Sequence, residues 1–171
     1  MKPRPIRIEG DVAYVTLTRG YEAIIDAENV PLVEGYNWQH FGPNRQTNYA
    51  RRNGLVSRGE NTRSGLYMHR VILDAPAGLE VDHIDGNGLN NRRGNLRLAT
   101  PSQNSCNKGV TKSNTSGYKG VLWEKGRGKW RALIRLNYKL KHLGFFDTPE
   151  KAYKPYCEAS DKLHGEFGRV K

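Results

Sequence analysis

The sequence predicts an α+β protein in two modules. An N-terminal β-rich module ends in a strand–loop–strand–helix unit, and a three-stranded antiparallel sheet packed on one helix follows it. Three observations predict this. Apolar and polar residues alternate with a period of two over residues 6–26, as in strands with one buried face. Between Glu80 and Ala99 a polar loop separates two short apolar runs, and a helix-start signal comes directly after. A polar stretch at 108–116, KGVTKSNTS, then precedes a second strand-rich pattern. The expected domains are therefore 1–107, with a compact core near 66–107, a linker at 108–116, and 117–171.

In the first module, Ile6 and Ile8 lead into a Glu9-Gly10-Asp11 turn. Ala13, Val15 and Leu17 alternate against Val12, Tyr14 and Thr16, and after a break at Gly20 residues 22–26 complete a meander. Asp26 is placed to cap a short helix over residues 31–34. Residues 36–41 and 49–52 read as further strands, and 66–73 lead into the next unit. Residues 42–65 are rich in Gly, Asn, Arg and Ser and read as a loop or hairpin tip. Their Arg45, Arg51, Arg52, Arg58 and Arg63 suit either phosphate contact or a solvated face.

Residues 80–104 read EVDHIDGNGLNNRRGNLRLATPSQN. Val81 and Ile84 flank Asp82-His83, as in a short strand. Thr100 suits an N-cap, Pro101 the first helical position, and Gln103 completes a capping-box spacing. Asp82, His83 and the helix face bearing Asn104 then converge. A histidine, with an ordinary pKa of ~6.5, takes a proton from water near neutral pH. Each residue alone has a plainer reading: a turn pair, a run of turn-forming asparagines, a solvated helix residue. A zinc site is disfavoured, because Cys106 and Cys157 form no paired-ligand spacing.

This stretch resembles the ββα-metal active site of HNH endonucleases, in the phage and intron-encoded group with Asn at the third motif position. The likeness includes the DGN-x-x-NN-x-x-x-NL pattern from Asp85 to Leu96 and both motif spacings. It implies catalytic roles for His83 and for Asn95, which ties the loop and aims His83. It implies Asp82 and Asn104 as ligands of one divalent ion, Mg²⁺ or Mn²⁺, per active site. His69-Arg70 resembles the His-Arg often found before this site, which implies that Arg70 approaches the DNA.

The 171 residues carry a net charge of +11, with a pI near 9.8. Residues 108–171 hold 15 Lys/Arg against 6 Asp/Glu, whereas residues 1–107 hold 13 against 11. A basic excess concentrated in the last third points to a polyanionic partner, double-stranded DNA. No run approaches 18 apolar residues, so no membrane partner is expected. The first residues lack an apolar signal core, so the expected location is cytoplasmic, the host cytoplasm if phage-encoded. Reduced thiols, a monomer and no small-molecule cofactor complete the expectation.

In the second module residues 118–124 read as one strand and Gly126-Arg127-Gly128 as a turn. Residues 129–136 form a clear alternating strand, with Trp130, Ala132, Ile134 and Leu136 on one side. Residues 139–145 make the third strand, in which Leu140 and Leu143 share a face only across a bulge. Thr148-Pro149-Glu150 starts a helix. Pro155 should kink or shorten that helix. Tyr118-Lys119-Gly120-Val121, Gly128-Lys129-Trp130-Arg131-Ala132 and Thr148-Pro149-Glu150-Lys151-Ala152 resemble the Apetala-type (ethylene-response-factor-like) DNA-binding domain. That resemblance implies a sheet in the major groove, with Lys119, Arg131 and Arg135 facing DNA. Lys125, Arg127 and Lys129 are expected at phosphates. Leu122 and Glu124 depart from the base-reading arginines of plant members.

The expected function is a metal-dependent, homing-type HNH endonuclease that nicks duplex DNA. Two rivals accompany it: a non-catalytic DNA-binding regulator, and a structure-specific or nonspecific HNH nuclease.

Overall fold

A computed structural model describes residues 2–44, 47–54 and 65–170. Arg45, Arg58 and Arg63 lie outside the described residues. The chain divides into two compact units, Met1–Leu98 and Ala99–Lys171. The division falls ahead of the helix bearing Asn104 and not at 108–116, because that helix packs on the turn Gly165–Phe167 of the second unit.

The first unit opens with a meander of β1 (Ile6–Glu9), β2 (Val12–Thr16) and β3 (Glu22–Asp26). Its register pairs Ile8 with Ala13 and Ala13 with Ile25. The alternation expected of β2 is real: Ala13, Val15 and Leu17 are buried, while Val12, Tyr14 and Thr16 are partly exposed. A 3₁₀ turn leads into α1 (Val30–Val33). A second antiparallel sheet follows, of β4 (Gln39–Asn44), β5 (Thr47–Asn53) and β6 (Gly65–Tyr67). Next come α2 (Met68–Leu73) and the two-stranded pair β7 (Glu80–His83) and β8 (Leu96–Ala99). Trp38, Ala50, Met68, Ile72, Val81 and Leu96 join the meander's buried face in one core.

Two local expectations change, at residues 36–38 and at Asp26, and residues 66–73 acquire a defined element. Residues 36–38 are not strand: Trp38 turns inward, 1% exposed, and its indole N–H donates to the Val33 carbonyl at 2.9 Å. Residues 66–73 are mostly helix, because Met68 and Ile72, one helical turn apart, both reach the core. Asp26 makes no side-chain cap; its carboxylate is taken by Arg92 and Arg93.

The second unit begins with α3 (Pro101–Cys106). The Thr100 hydroxyl accepts from the Gln103 N–H, and the Gln103 amide oxygen accepts from the Thr100 N–H, the reciprocal pair expected from the sequence. Strands β9 (Val121–Glu124), β10 (Lys129–Leu136) and β11 (Lys139–Phe146) form a sheet in the order β11–β10–β9, and α4 (Pro149–His164) packs on it. Val121, Ala132, Ile134, Ala152 and Tyr156 are buried within this unit. A bulge is present, since Leu133 pairs with His142 and Ala132 with Gly144 and Leu143 is the extra residue, but it does not bring Leu140 and Leu143 onto one face. Leu143 thereby reaches the core while Leu140 stays 60% exposed. Helix α4 runs on through Pro155 for 16 residues, so the expected shortening does not occur. Ala152, Tyr156 and Ser160, four residues apart, bury one stripe that holds the helix despite its missing N–H. No helix among the described residues is long and apolar enough to cross a membrane.

Candidate active site

Asp82 and His83 sit at the end of β7, where the strand places both side chains in buried surroundings, 3% and 5% exposed. The loop from Asp85 to Asn95 closes over His83 through its own amides. Asp85 Oδ1 accepts from the Asn87 N–H at 2.7 Å and from Asn95 Nδ2 at 2.9 Å, and Asp85 Oδ2 accepts from Asn90 Nδ2 at 2.8 Å. Asn95 also donates to the Asn90 carbonyl at 2.8 Å, and its Oδ1 accepts from the Asp85 N–H at 3.0 Å. Burial pushes the Asp85 carboxyl up, but the donors on Asn87, Asn90 and Asn95 outweigh it and hold the group below the usual carboxylate range.

Asn95 joins both ends of the loop, and a different asparagine meets the histidine. Asn91, fully buried, lies with Oδ1 3.3 Å from His83 Nε2, while its Nδ2 donates to the Leu89 carbonyl at 3.1 Å. A carbonyl accepts only, so the Leu89 contact assigns Asn91 Oδ1 to the histidine side. His83 Nε2 must then carry the proton, and the basic lone pair of the neutral ring lies at Nδ1. Burial lowers the His83 pKa from its ordinary value, although Asn91, Asp85 and Asp82 oppose the shift. The ring is neutral at pH 7, as a general base must be.

The loop is anchored from outside by the N-terminal meander. The Ile24 N–H donates to the Leu89 carbonyl at 2.8 Å, and the Asn91 N–H donates to the Ile24 carbonyl at 2.7 Å, so the loop extends the β3 edge. Arg92 reaches Asp26 at 2.7 Å and Asp11 at 2.8 Å, and the Arg93 N–H donates to Asp26 at 2.7 Å. Gly88 lies flush on β5: a Cβ there would stand 2.2 Å from the Asn48 carbonyl oxygen and 2.6 Å from the Tyr49 ring, so no larger residue fits.

Aromatic rings wall the histidine. Tyr49 lies 5.9 Å from His83, and His69 meets it edge-on at 5.0 Å while stacking on Tyr67 at 5.3 Å. His69 Nδ1 is buried with no hydrogen-bond partner among the described residues, and burial, with help from His83 and Arg70, pushes the His69 pKa down to about 3. A histidine that stays neutral when folded but protonates when unfolded makes acid favour unfolding. The sign is a loss of stability as pH falls below 6.5, by about 1.4 kcal/mol per pH unit. Unfolding at pH 4.5 should therefore show His69 costing about 2–3 kcal/mol relative to pH 7.5. His69→Phe should flatten that slope; thermal melts of both proteins at the two pH values check it.

Asp82 Oδ2 accepts from both Nε and Nη2 of Arg97, at 2.9 and 2.7 Å, with the two side chains 4% and 12% exposed. Asn104 lies in α3, and its N–H donates to the Thr100 carbonyl at 2.9 Å. Arg70 serves the fold: its guanidinium donates to the carbonyls of Leu79, Ala75 and Pro76 at 2.7–2.9 Å and binds the turn between α2 and β7, where the sequence suggests contact with DNA.

The cations of the second unit divide in the same way. Lys119 was expected at DNA, yet its ammonium is drawn inside the unit, donating to the carbonyls of Cys106 and Arg169, and burial lowers its pKa to about 8. Lys129 pairs with Asp147, and Arg131 reaches Glu124 at 3.4 Å. Arg127 lies over the Phe145 ring at 4.7 Å. Lys125, Arg127, Lys129 and Arg135 remain exposed.

Asn91, Asp85, His69 and Tyr49 are the site residues that sequence reasoning missed. His69 stood in the His69-Arg70 pair, and Asp85 and Asn91 in the loop pattern, but none had been given a role; Asp85 also carried an Asx-turn spacing to Asn87. A buried neutral histidine beside a carboxylate, under an amide-tied loop, defines a candidate hydrolytic centre. A family profile described as HNH endonuclease matches residues 67–106, the segment that holds this centre. The chain belongs to the HNH endonuclease family, since it is 31% identical over 163 residues to an uncharacterized HNH endonuclease, L560, of Acanthamoeba polyphaga mimivirus, covering 91% of this chain and 79% of that protein. Protein 3.8 of Escherichia phage T7 is 43% identical over 96 residues, 56% of this chain and 78% of its own length. A prophage-derived Bacillus subtilis (strain 168) protein, YosQ, whose name includes the words HNH homing endonuclease, is 53% identical over 43 residues, 22% of this chain and 25% of its own. No solved structure matches the chain.

Proposed function

We propose that this protein is a metal-dependent endonuclease that nicks duplex DNA, with His83 as general base. The observation that carries the reading is the contact of Asn91 Oδ1 with His83 Nε2, which suits a neutral imidazole whose basic nitrogen is Nδ1. HNH nucleases generally use a divalent ion, and the donor set fits a hard one. Asp82 offers a carboxylate beside the base, and Asn104 is retained as the second expected ligand on sequence resemblance. A hard ion of this kind is held by few protein oxygens, with water and phosphate completing its shell. When bound, such an ion supplies positive charge at the scissile phosphate and at the departing 3′ oxygen. His83 takes the proton of the attacking water, and Asp85 with Asn95 keeps the loop closed over it.

The second unit is proposed to hold the duplex through the open side of its sheet, as an Apetala-type domain does, with Lys125, Arg127, Lys129, Arg131 and Arg135 at the backbone. One site per monomer cuts one strand, so nicking is the default. A homing role accords with the wording of the prophage relative's name.

Supercoiled plasmid and host genomic DNA incubated with protein and Mg²⁺ or Mn²⁺ should yield nicked circles, and EDTA should stop the reaction. DNA binding without cutting in any divalent ion would favour the non-catalytic regulator. Cutting without a preferred site would favour the nonspecific nuclease.

A further inference from the structure

The β4–β5–β6 sheet carries a cationic feature that the proposed chemistry leaves unused. Its register pairs Arg51 with Gln39 and Tyr67, and Phe41 with Tyr49, so these five side chains share one face. That face runs into the catalytic centre, since Tyr49 and Tyr67 contact His69, and Tyr49 and His69 contact His83. The Arg51 guanidinium lies over Phe41 at 4.7 Å and over Tyr67 at 5.9 Å. Gly65 makes this placement possible: a Cβ there would fall 1.5 Å from Arg51 Nε and 2.3 Å from Nη2. The neighbouring Arg52 projects to the opposite face, over Tyr36 at 3.9 Å and Trp38 at 5.6 Å.

Arg51 is thus pre-positioned on an aromatic face. Among the described residues no carboxylate pairs with it, in contrast to Arg92, which reaches two, and Arg97, which holds Asp82. Ring contacts occupy the faces of a guanidinium and leave its N–H donors in the plane, where they match two phosphate oxygens. Stacking also lowers the entropy lost on binding, because the long side chain is already ordered.

We propose that Arg51 is a backbone clamp: it grips a DNA phosphate flanking the one being cut and seats the strand against His83. The role rests on the nuclease reading for its position relative to the cut, but not for its affinity for DNA.

The test uses full-length protein with His83→Ala in place, so that DNA stays intact, and a mixed-sequence 30-base-pair duplex. Binding is measured from 50 to 200 mM KCl. Removing one phosphate contact lowers the slope of log affinity against log salt by about 0.9. Arg51→Ala and Arg51→Gln should both show that drop, with weaker binding at every salt concentration. Gly65→Ala, which displaces Arg51 while keeping its charge, should weaken binding in the same direction. A lower melting temperature with an unchanged salt slope in both Arg51 variants would overturn the clamp and leave Arg51 a packing residue. In the otherwise wild-type background Arg51→Gln should raise KM for cutting more than it lowers kcat. If wild type cuts no DNA in any divalent ion, the nuclease reading falls, and the salt slope still decides whether Arg51 holds phosphate.

Discussion

Replacing His83 with alanine should reduce DNA cutting by about 10²–10⁴-fold, the span that a positioned general base contributes, while DNA binding stays within twofold of wild type. The contrast follows from where the side chain lies. His83 is buried beneath the Asp85–Asn95 loop and offers no charge to DNA at pH 7, because burial holds its pKa below the ordinary value. Its loss removes a base and no phosphate contact. The same geometry sets a second readout. The acid limb of the rate profile should fall below pH 6.5, since protonation at Nδ1 abolishes the base and that step is displaced downward by burial. Asn91→Ala should act in the same assay through orientation alone, lowering kcat less than His83→Ala does and leaving KM unchanged, because Asn91 sets the tautomer without touching substrate. Cutting by His83→Ala at the wild-type rate would remove the proposed base from the mechanism.

Arg97→Ala should cost about 3–5 kcal/mol of folding stability, the usual penalty for removing one partner of a buried ion pair. Both nitrogen contacts converge on Asp82 Oδ2, and the two side chains are 12% and 4% exposed, so solvent cannot replace the guanidinium. The double variant Arg97→Met with Asp82→Asn should recover most of the loss, because two neutral groups of similar size leave no buried charge. Urea unfolding of Arg97→Met, Asp82→Asn and the double variant gives the coupling directly. Additive single effects would show that the pair is not coupled. Asp82→Asn should also lose cutting, since the amide is a weaker ligand than a carboxylate for a hard cation. Separating the two losses requires the binding assay, in which a folded Asp82→Asn protein should hold DNA normally.

Much of the local structure was legible in the residues. The meander's buried face and the reciprocal cap at Thr100 and Gln103 each depend on spacing within a few positions. So does the placement of Asp82-His83 at a strand end beside a turn-forming loop. Chain geometry alone constrains such neighbours, because side-chain direction repeats every two residues in a strand and a cap reaches only its own first turn.

Partner choice was not legible. Asn95 was expected to aim His83, yet Asn91, whose N–H is held by the Ile24 carbonyl at the β3 edge, is the asparagine that meets the ring. Asp26 looked like a helix cap until Arg92 and Arg93, some 66 positions away, claimed its carboxylate. Lys119 and Arg70 were expected at DNA, yet backbone carbonyls take their donors, whereas Arg51 lies over aromatic rings. The sequence by itself determined which elements form and which chemistries are present. Tertiary packing decided which charge is spent inside and which proton sits on which nitrogen, because burial makes an unmatched polar group costly and so forces each one onto whatever partner the fold brings near.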